Sequence, residues 1–198
     1  MIHFINNNSS KPFQVFREKY NLALKKGQES IEAISVSSYS PFSDEVNSRF
    51  VNLKIIDDEQ FIFFTNYNSP KSREFEKHNQ VSVVFFWNKI NTQIRIKAKI
   101  SKTSKSFNND YFSDRSIKKN ALAISSNQSE VIDSYERVIE NFQKSLQSDD
   151  LEKCPDFWGG FSFIPYYFEF WEGHNSRLNK REAFIKNNKN WDSFLLQP

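Results

Sequence analysis

The chain is poor in the residues that most catalytic signatures need. It has four glycines in 198 residues, too few for a glycine-rich phosphate cradle, and neither a Walker loop nor a dinucleotide fingerprint occurs. A single cysteine, Cys154, excludes a disulfide framework within the chain and fits a reducing compartment. No histidine lies near it in sequence to pair with the flanking aspartates, so it reads as a structural or incidental thiol. The three histidines, His3, His78 and His174, lie too far apart in sequence for a metal-ligand spacing, and no metal is expected. G-x-S-x-G and H-E-x-x-H are both missing. No apolar run approaches the ~20 residues of a membrane span. The opening MIHFINNNSSKPF has neither the basic nor the apolar region of a secretion signal, so a cytoplasmic location is expected. An excess of one charge is lacking too: 27 basic against 24 acidic residues leave +3. With no basic stripe, neither nucleic acid nor a membrane is an expected partner.

Phenylalanine is plentiful. Apolar residues make up 38% of the chain, but aromatics make up 16%, and 21 residues are Phe. Large flat side chains bury much area each, so a globular core is expected despite the polar composition, and the length suits one domain. Residues 1–11 are polar and Asn/Ser-rich and read as a flexible arm; residues 12–198 read as one domain. Phe13, Phe16, Tyr20 and Leu24 fall at helical spacing over 12–26, closed by Gly27. Strand patterns follow at 31–38, 48–56 and 61–67, with a turn at Asp57-Asp58-Glu59. Ser69-Pro70 opens a short helix. Strands at 80–87 and 91–102 join through a tight turn. Residues 104–146 are mostly helical in pattern. Within 129–147, Val131, Tyr135, Val138, Ile139 and Phe142 make one stripe, expected to pack into the core. Strand patterns return at 160–173, 181–187 and 191–198. Six or more strands with helices at the corners predict an α+β antiparallel barrel.

With no glycine cradle, a phosphate must be held by cationic side chains and helix N-termini. Two segments suit this. In RFVNLK (49–54), Arg49, Val51 and Leu53 share one strand face. Lys71 stands in the first turn of the helix opened by Ser69, where a cation opposes the helix dipole unless an anion sits nearby.

The C-terminal segment is more specific. It reads FWGG (157–160), Pro165, EFWEG (169–173), RLNKR (177–181) and a final Leu196-Gln197-Pro198. Upstream, in order, come RFVNLK (49–54), FFTNYNSPKS (63–72), VSVVFFW (81–87), Gln93, DYFSDRS (110–116) and NQS (127–129). This ordered set resembles the pyridoxamine 5′-phosphate oxidase family across residues 12–198. The resemblance implies an antiparallel split β-barrel with peripheral helices, working as a homodimer with FMN at the subunit interface. It implies that Arg49 and Lys71 bind the FMN phosphate, that Val51, Lys54, Phe64 and Thr65 line the cofactor, and that Gln93 touches the flavin ring. Gln128, Ser129, Trp171 and Arg181 are implied to come from the other subunit. Lys54, Tyr111, Arg115 and Lys119 are implied to hold a substrate phosphate, with Arg177 over the substrate ring as the catalytic residue and Asn179 beside it. The implied reaction oxidises pyridoxamine or pyridoxine 5′-phosphate to pyridoxal 5′-phosphate, with O2 as acceptor and H2O2 as product.

The sequence also departs from the family pattern. Asn179 stands for a His, Lys180 for an Asp, Pro70 for an Arg and Lys119 for a Ser. Pro70 removes one cation from the FMN phosphate, but the changes cluster around the substrate more than around FMN. A phenazine-pathway type of oxidase acting on another ring is one alternative, and a non-catalytic flavin-binding protein is another.

Overall fold

The computed structural model describes residues 1–198. In chain order the elements are β1 (His3–Phe4), α1 (Lys11–Lys25), β2 (Ala33–Ser40), β3 (Glu45–Asn52), β4 (Ile55–Asp57), β5 (Gln60–Asn66), α2 (Pro70–Lys77), β6 (Gln80–Trp87) and β7 (Thr92–Lys102). The helices α3 (Lys105–Ser113), α4 (Ile117–Ser125) and α5 (Tyr135–Ser148) come next, then β8 (Trp158–Glu172), β9 (Lys180–Asn187) and β10 (Asn190–Leu196). No helix is long and apolar enough to cross a membrane.

The strands form one sheet in the order β1-β4-β5-β8-β7-β6-β2-β3, with β9 on β8 and β10 on β9. Only β1 and β4 pair in parallel; the other pairings are antiparallel. β8 organises the molecule. One of its edges pairs with β7 along almost the whole strand. Its other edge is divided: Trp158–Phe163 pair with β5, and Tyr167–Glu172 with β9. The division falls at Pro165 and Tyr166. Pro165 has no N–H for a ladder, and the register with β7 shifts between Lys97 and Ala98, which leaves Tyr166 as the extra residue of a bulge. A bulge bends its strand, so β8 leaves one half of the barrel and enters the other.

Alternation decides which face is inside. β7 reads as a near-regular buried/exposed alternation, with Ile94, Ile96, Ala98 and Ile100 inward. The phenylalanines carry the interior, as their number suggests. Phe16 of α1 is 1% exposed and meets Phe61, Phe85 and Trp87 with ring centroids 5.3, 5.2 and 5.6 Å away. α1 therefore lies on the barrel as an apolar plug, with Phe13, Phe16, Tyr20 and Ala23 all buried. Gly27, at φ 70°, closes it in a conformation that favours glycine.

Three expectations need correction. Residues 1–11 are not a free arm. His3 and Phe4 pair with Ile55 and Ile56, Ile2 is buried, and Asn6 and Asn8 donate to Asp57 and Asp58 at 2.6 and 2.7 Å. The edge of β4 offers unpaired backbone groups and the carboxylates hold the amides, which a composition reading of Asn and Ser does not foresee. The strand expected at 48–56 is two strands. The chain turns at Leu53 and Lys54, whose N–H groups donate to Glu32 O and Ile62 O, and Phe50 is 78% exposed. The helix expected at 129–147 begins only at Tyr135, capped by Ser134. Its apolar stripe is not core: Val131, Tyr135 and Ile139 are exposed, because α5 packs on α4 rather than on the sheet.

Candidate functional site

A cavity of about 480 Å³ opens where β3, β5, α2, α3 and the start of β8 converge. Arg49 and Val51 reach it from β3, Lys54 from the turn after it, Phe64 and Thr65 from β5, and Lys71 from the first turn of α2. Tyr111 of α3, Arg115 just beyond it, Lys119 of α4, Gln128, Ser129 and Trp158 complete the wall with Phe50 and Asn52. Five of these residues are cations and none is an acid. Like charges held together out of water repel, so such a lining is matched to an anion.

The Gly159-Gly160 pair sets the wall's position. Thr65 and Phe64 of β5 face these two glycines across the ladder. A Cβ on Gly159 would overlap Tyr67 Oη and Asn108 Nδ2, and one on Gly160 would meet Thr103 Oγ1 at 2.7 Å. Their missing side chains let α3 settle on β8. Asn108 Oδ1 accepts from Gly160 N at 2.9 Å and from Thr103 Oγ1 at 2.5 Å. Its Nδ2 donates to Tyr67 Oη, which donates to Gly160 O, both at 3.0 Å. One turn further along α3, Tyr111 stacks on Phe64 at 3.7 Å and 5°, and Trp158 stacks on Phe64 at 5.2 Å and 8°. The result is a flat aromatic wall beside the cations.

The cations differ in their surroundings. Arg49 pairs with the buried Glu74 at 2.9 Å and donates to Ser38 Oγ at 2.5 Å. Glu74 also accepts from Ser38 and, at 3.0 Å, from Asn47. Lys71 is 7% exposed. Its Nζ donates to Ser69 Oγ at 3.0 Å and to Gln128 Oε1 at 2.7 Å, neither of them an acid. Burial first, and the charge of Arg49 second, push its pKa down to about 8 against the pull of Glu74. Lys54 is also lowered, by burial first and then by Lys119 and Arg115, with Glu32 opposing. Burial raises the Tyr111 phenol, and Arg115 opposes that rise. The Arg115 guanidinium lies 4.4 Å from the Trp158 ring centroid and donates through Nη2 to Lys119 O at 3.3 Å. Its Nη1 is buried without a partner, and a buried orphan donor on a cation suits an anionic ligand.

Eleven of the expected residues thus meet in one cavity: Arg49, Val51, Lys54, Phe64, Thr65, Lys71, Tyr111, Arg115, Lys119, Gln128 and Ser129. Gln128 and Ser129 correct the expectation that a partner subunit supplies them. The loop after α4 folds back over β5, where Asn66 Nδ2 donates to Ser126 O at 3.3 Å and Thr65 Oγ1 donates to Gln128 Oε1 at 2.7 Å. The sequence reading missed Glu74 as the counter-ion of Arg49, and Trp158 as the platform for Arg115. The Trp of FWGG was the one available signal for the latter.

Gln93, Trp171, Arg177, Asn179 and Arg181 lie elsewhere. Gln93, Trp171 and Arg181 are cross-strand neighbours on β7, β8 and β9. Arg177 and Asn179 sit in the loop between β8 and β9, where Arg177 is exposed with φ 59° and Asn179 Oδ1 accepts from His174 N at 3.0 Å. This second group stands at the far end of β8 from Trp158. Over its 15 residues, at about 3.3 Å each, the strand runs roughly 45 Å. No group of three or more His, Cys, Asp or Glu side chains is placed to hold a metal ion.

A family model described as pyridoxamine 5′-phosphate oxidase matches residues 23–143. A second, described as the pyridoxine 5′-phosphate oxidase C-terminal dimerisation region, matches residues 158–198. The chain belongs to the pyridoxamine 5′-phosphate oxidase family. Curated relatives named pyridoxine/pyridoxamine 5′-phosphate oxidase agree. The one from Trichormus variabilis is 33% identical over 193 residues, which cover 96% of this chain and 89% of the relative. The one from Colwellia psychrerythraea is 35% identical over 195 residues, 97% and 89% of the two chains. Among solved structures, PhzG from Burkholderia lata, in complex with tetrahydrophenazine-1-carboxylic acid, superposes with a TM-score of 0.89 at 23% identity, covering 96% of this chain and 93% of that one. A pyridoxamine 5′-phosphate oxidase-related, FMN-binding protein from Nostoc punctiforme gives 0.78 at 13% identity, covering 96% and 99%. These likenesses show the FMN-binding split-barrel fold. As a member of the pyridoxamine 5′-phosphate oxidase family the chain is an FMN-dependent oxidoreductase. The acid-free lining and the orphan Arg115 Nη1 fit a phosphate-bearing cofactor.

Proposed function

We propose that the protein is a cytoplasmic homodimeric oxidase that converts pyridoxamine or pyridoxine 5′-phosphate to pyridoxal 5′-phosphate, with O2 as acceptor and H2O2 as product. One observation carries the reading: a cavity lined by Arg49, Lys54, Lys71, Arg115 and Lys119 with no carboxylate, walled by stacked Phe64, Tyr111 and Trp158. It offers cations for two phosphates and flat apolar surface for aromatic rings. Arg49 and Lys71 would hold the FMN phosphate, with Val51, Phe64, Thr65, Gln128 and Ser129 lining the cofactor. Lys54, Tyr111, Arg115 and Lys119 would hold the phosphate of the substrate. When bound, FMN supplies the two-electron chemistry. The chain's own residues orient the substrate carbon and exclude water.

Gln93, Trp171, Arg177, Asn179 and Arg181 complete the site only if a second copy brings its far end of β8 to this cavity. The separation along the strand supports that arrangement, and the matched dimerisation region includes four of the five residues. Arg177 would then lie over the substrate ring as the catalytic residue.

A second reading, an oxidase acting on another cyclic substrate, is favoured by Asn179. This residue, on the substrate side of the family pattern, gives its side-chain oxygen to the His174 N–H. Anaerobic mixing of FMN-loaded protein with pyridoxamine 5′-phosphate separates the two readings. Bleaching of the flavin band near ~450 nm, with pyridoxal 5′-phosphate formed on admitting air, supports the vitamin B6 reaction. An unbleached flavin refutes it and favours the second reading.

A further inference from the structure

Arg181, the cation assigned above to the flavin of a partner subunit, is not free in its own chain. Its Nε and Nη2 both meet Glu169 Oε1, at 2.9 and 2.8 Å. Its Nη1 donates to Gln197 O at 2.8 Å. Glu169 is 2% exposed, and its other oxygen accepts from Arg95 Nη1 at 3.0 Å and from Tyr167 Oη at 3.1 Å. The register explains how these groups meet. Glu169 of β8 lies between Arg95 of β7 and Ala183 of β9. Arg181 is two residues from Ala183 and so shares its face. Ala183 carries only a methyl group, which leaves the space over Glu169 to the Arg181 guanidinium. One buried carboxylate thus fixes the plane of a cation that stands beside Trp171 in the ladder.

We propose that Glu169 is a positioning residue for the cofactor: it holds Arg181 in the one pose from which that cation reaches FMN across the subunit interface. The proposal rests on the reading that places Arg181 at the flavin. It makes a prediction opposite in sign to simple electrostatics. Removing a negative charge from the neighbourhood of an anionic cofactor should tighten binding if charge alone matters. If Glu169 acts by holding Arg181, its loss frees the guanidinium to other rotamers and weakens binding.

The test measures FMN affinity by flavin fluorescence quenching on the apo-protein reconstituted with FMN, for Glu169→Gln, Arg181→Ala, their double variant and Arg95→Met. Light scattering and thermal melts accompany each to establish an intact dimer. Glu169→Gln keeps the shape of the side chain, so folding is expected to survive. Its FMN Kd should rise about tenfold, the scale of one charge-assisted contact. Arg181→Ala should rise at least as much, and the double variant should bind no worse than Arg181→Ala alone, because the two residues act as one unit. The midpoint potential of bound FMN should fall in both single variants and stay put in Arg95→Met, which leaves the Arg181–Glu169 pair intact. A Glu169→Gln protein that binds FMN as tightly as the parent, or more tightly, overturns the proposal. So does an Arg95→Met protein with the same loss as Glu169→Gln, since the ion cluster as a whole would then be responsible. Parent-like affinity in Arg181→Ala removes Arg181 from the flavin and takes the premise with it, an outcome the other variants do not mimic.

Discussion

Lys71 sets cofactor binding against stability. It is 7% exposed, and its pKa lies at about 8 against an ordinary 10.5. A depressed lysine pKa means that the unfolded chain binds the proton more tightly. Below pH 8 both states are charged and the folded state carries the full cost of the buried ammonium. Between pH 8 and 10.5 the folded state loses its proton first, so stability rises with pH through that window. The shift of about 2.5 units, at ~1.36 kcal/mol each, sets the cost near 3 kcal/mol. The contacts to Ser69 and Gln128 offset part of what its removal would return. Lys71→Met, which keeps the volume and deletes the charge, should therefore stabilise the FMN-free protein by roughly 1–3 kcal/mol at pH 7. For a chain of this size that raises Tm by roughly 2–10 °C. The gain should vanish near pH 11. The same change should weaken FMN retention by roughly 1.5–3 kcal/mol, or about ten- to hundredfold in Kd. Urea titrations of apo-protein at pH 7 and pH 10.5, at one protein concentration, and fluorescence titration with FMN read the two halves. A variant that is less stable than the parent at pH 7 yet holds FMN as tightly refutes both the buried-cation argument and the phosphate assignment.

Arg115→Met should raise KM for a phosphorylated substrate at least tenfold while FMN stays bound, because it deletes a charge-assisted contact of about 1.5–3 kcal/mol; steady-state kinetics with and without the phosphate group on the substrate checks this. Gly159→Ala should push Tyr67 and Asn108 off β8, lowering stability by roughly 1–3 kcal/mol and turnover with it, as melts and initial rates would record. Arg177→Ala should leave the flavin spectrum unchanged and lower kcat; unchanged turnover would remove Arg177 from the site. Light scattering of the holoprotein should give a dimer, and a clean monomer that still holds FMN would contradict an interfacial site.

The sequence carried the local features well and the long-range ones poorly, for identifiable reasons. Alternating apolar positions exposed β2, β6 and β7 to within two residues, because a half-buried strand must alternate. Gly27 and Ser69-Pro70 marked helix ends because their backbone needs are local. The stripe from Val131 to Phe142 misled because an amphipathic face states only that it wants cover, not which surface supplies it. The first eleven residues misled because a polar segment is held by whatever edge lies beside it, and β4 was not yet in place. The site followed the same division. Motifs brought eleven residues to one cavity, yet gave no role to Glu74 or to Glu169, the first residue of EFWEG. Each acts by holding an arginine: Glu74 sits a full helix turn past Lys71, and Glu169 on the strand opposite Arg181. Counter-ions of this kind are fixed by register and by helix phase, not by neighbours in sequence. The largest gap concerns the two ends of β8. Trp158 and Trp171 lie thirteen positions apart within one aromatic segment, and the family resemblance assigned Trp171 to the other subunit without a physical reason. The extended strand supplies one: the same spacing separates the two tryptophans along the molecule, leaving two half-sites that a two-fold partner can join.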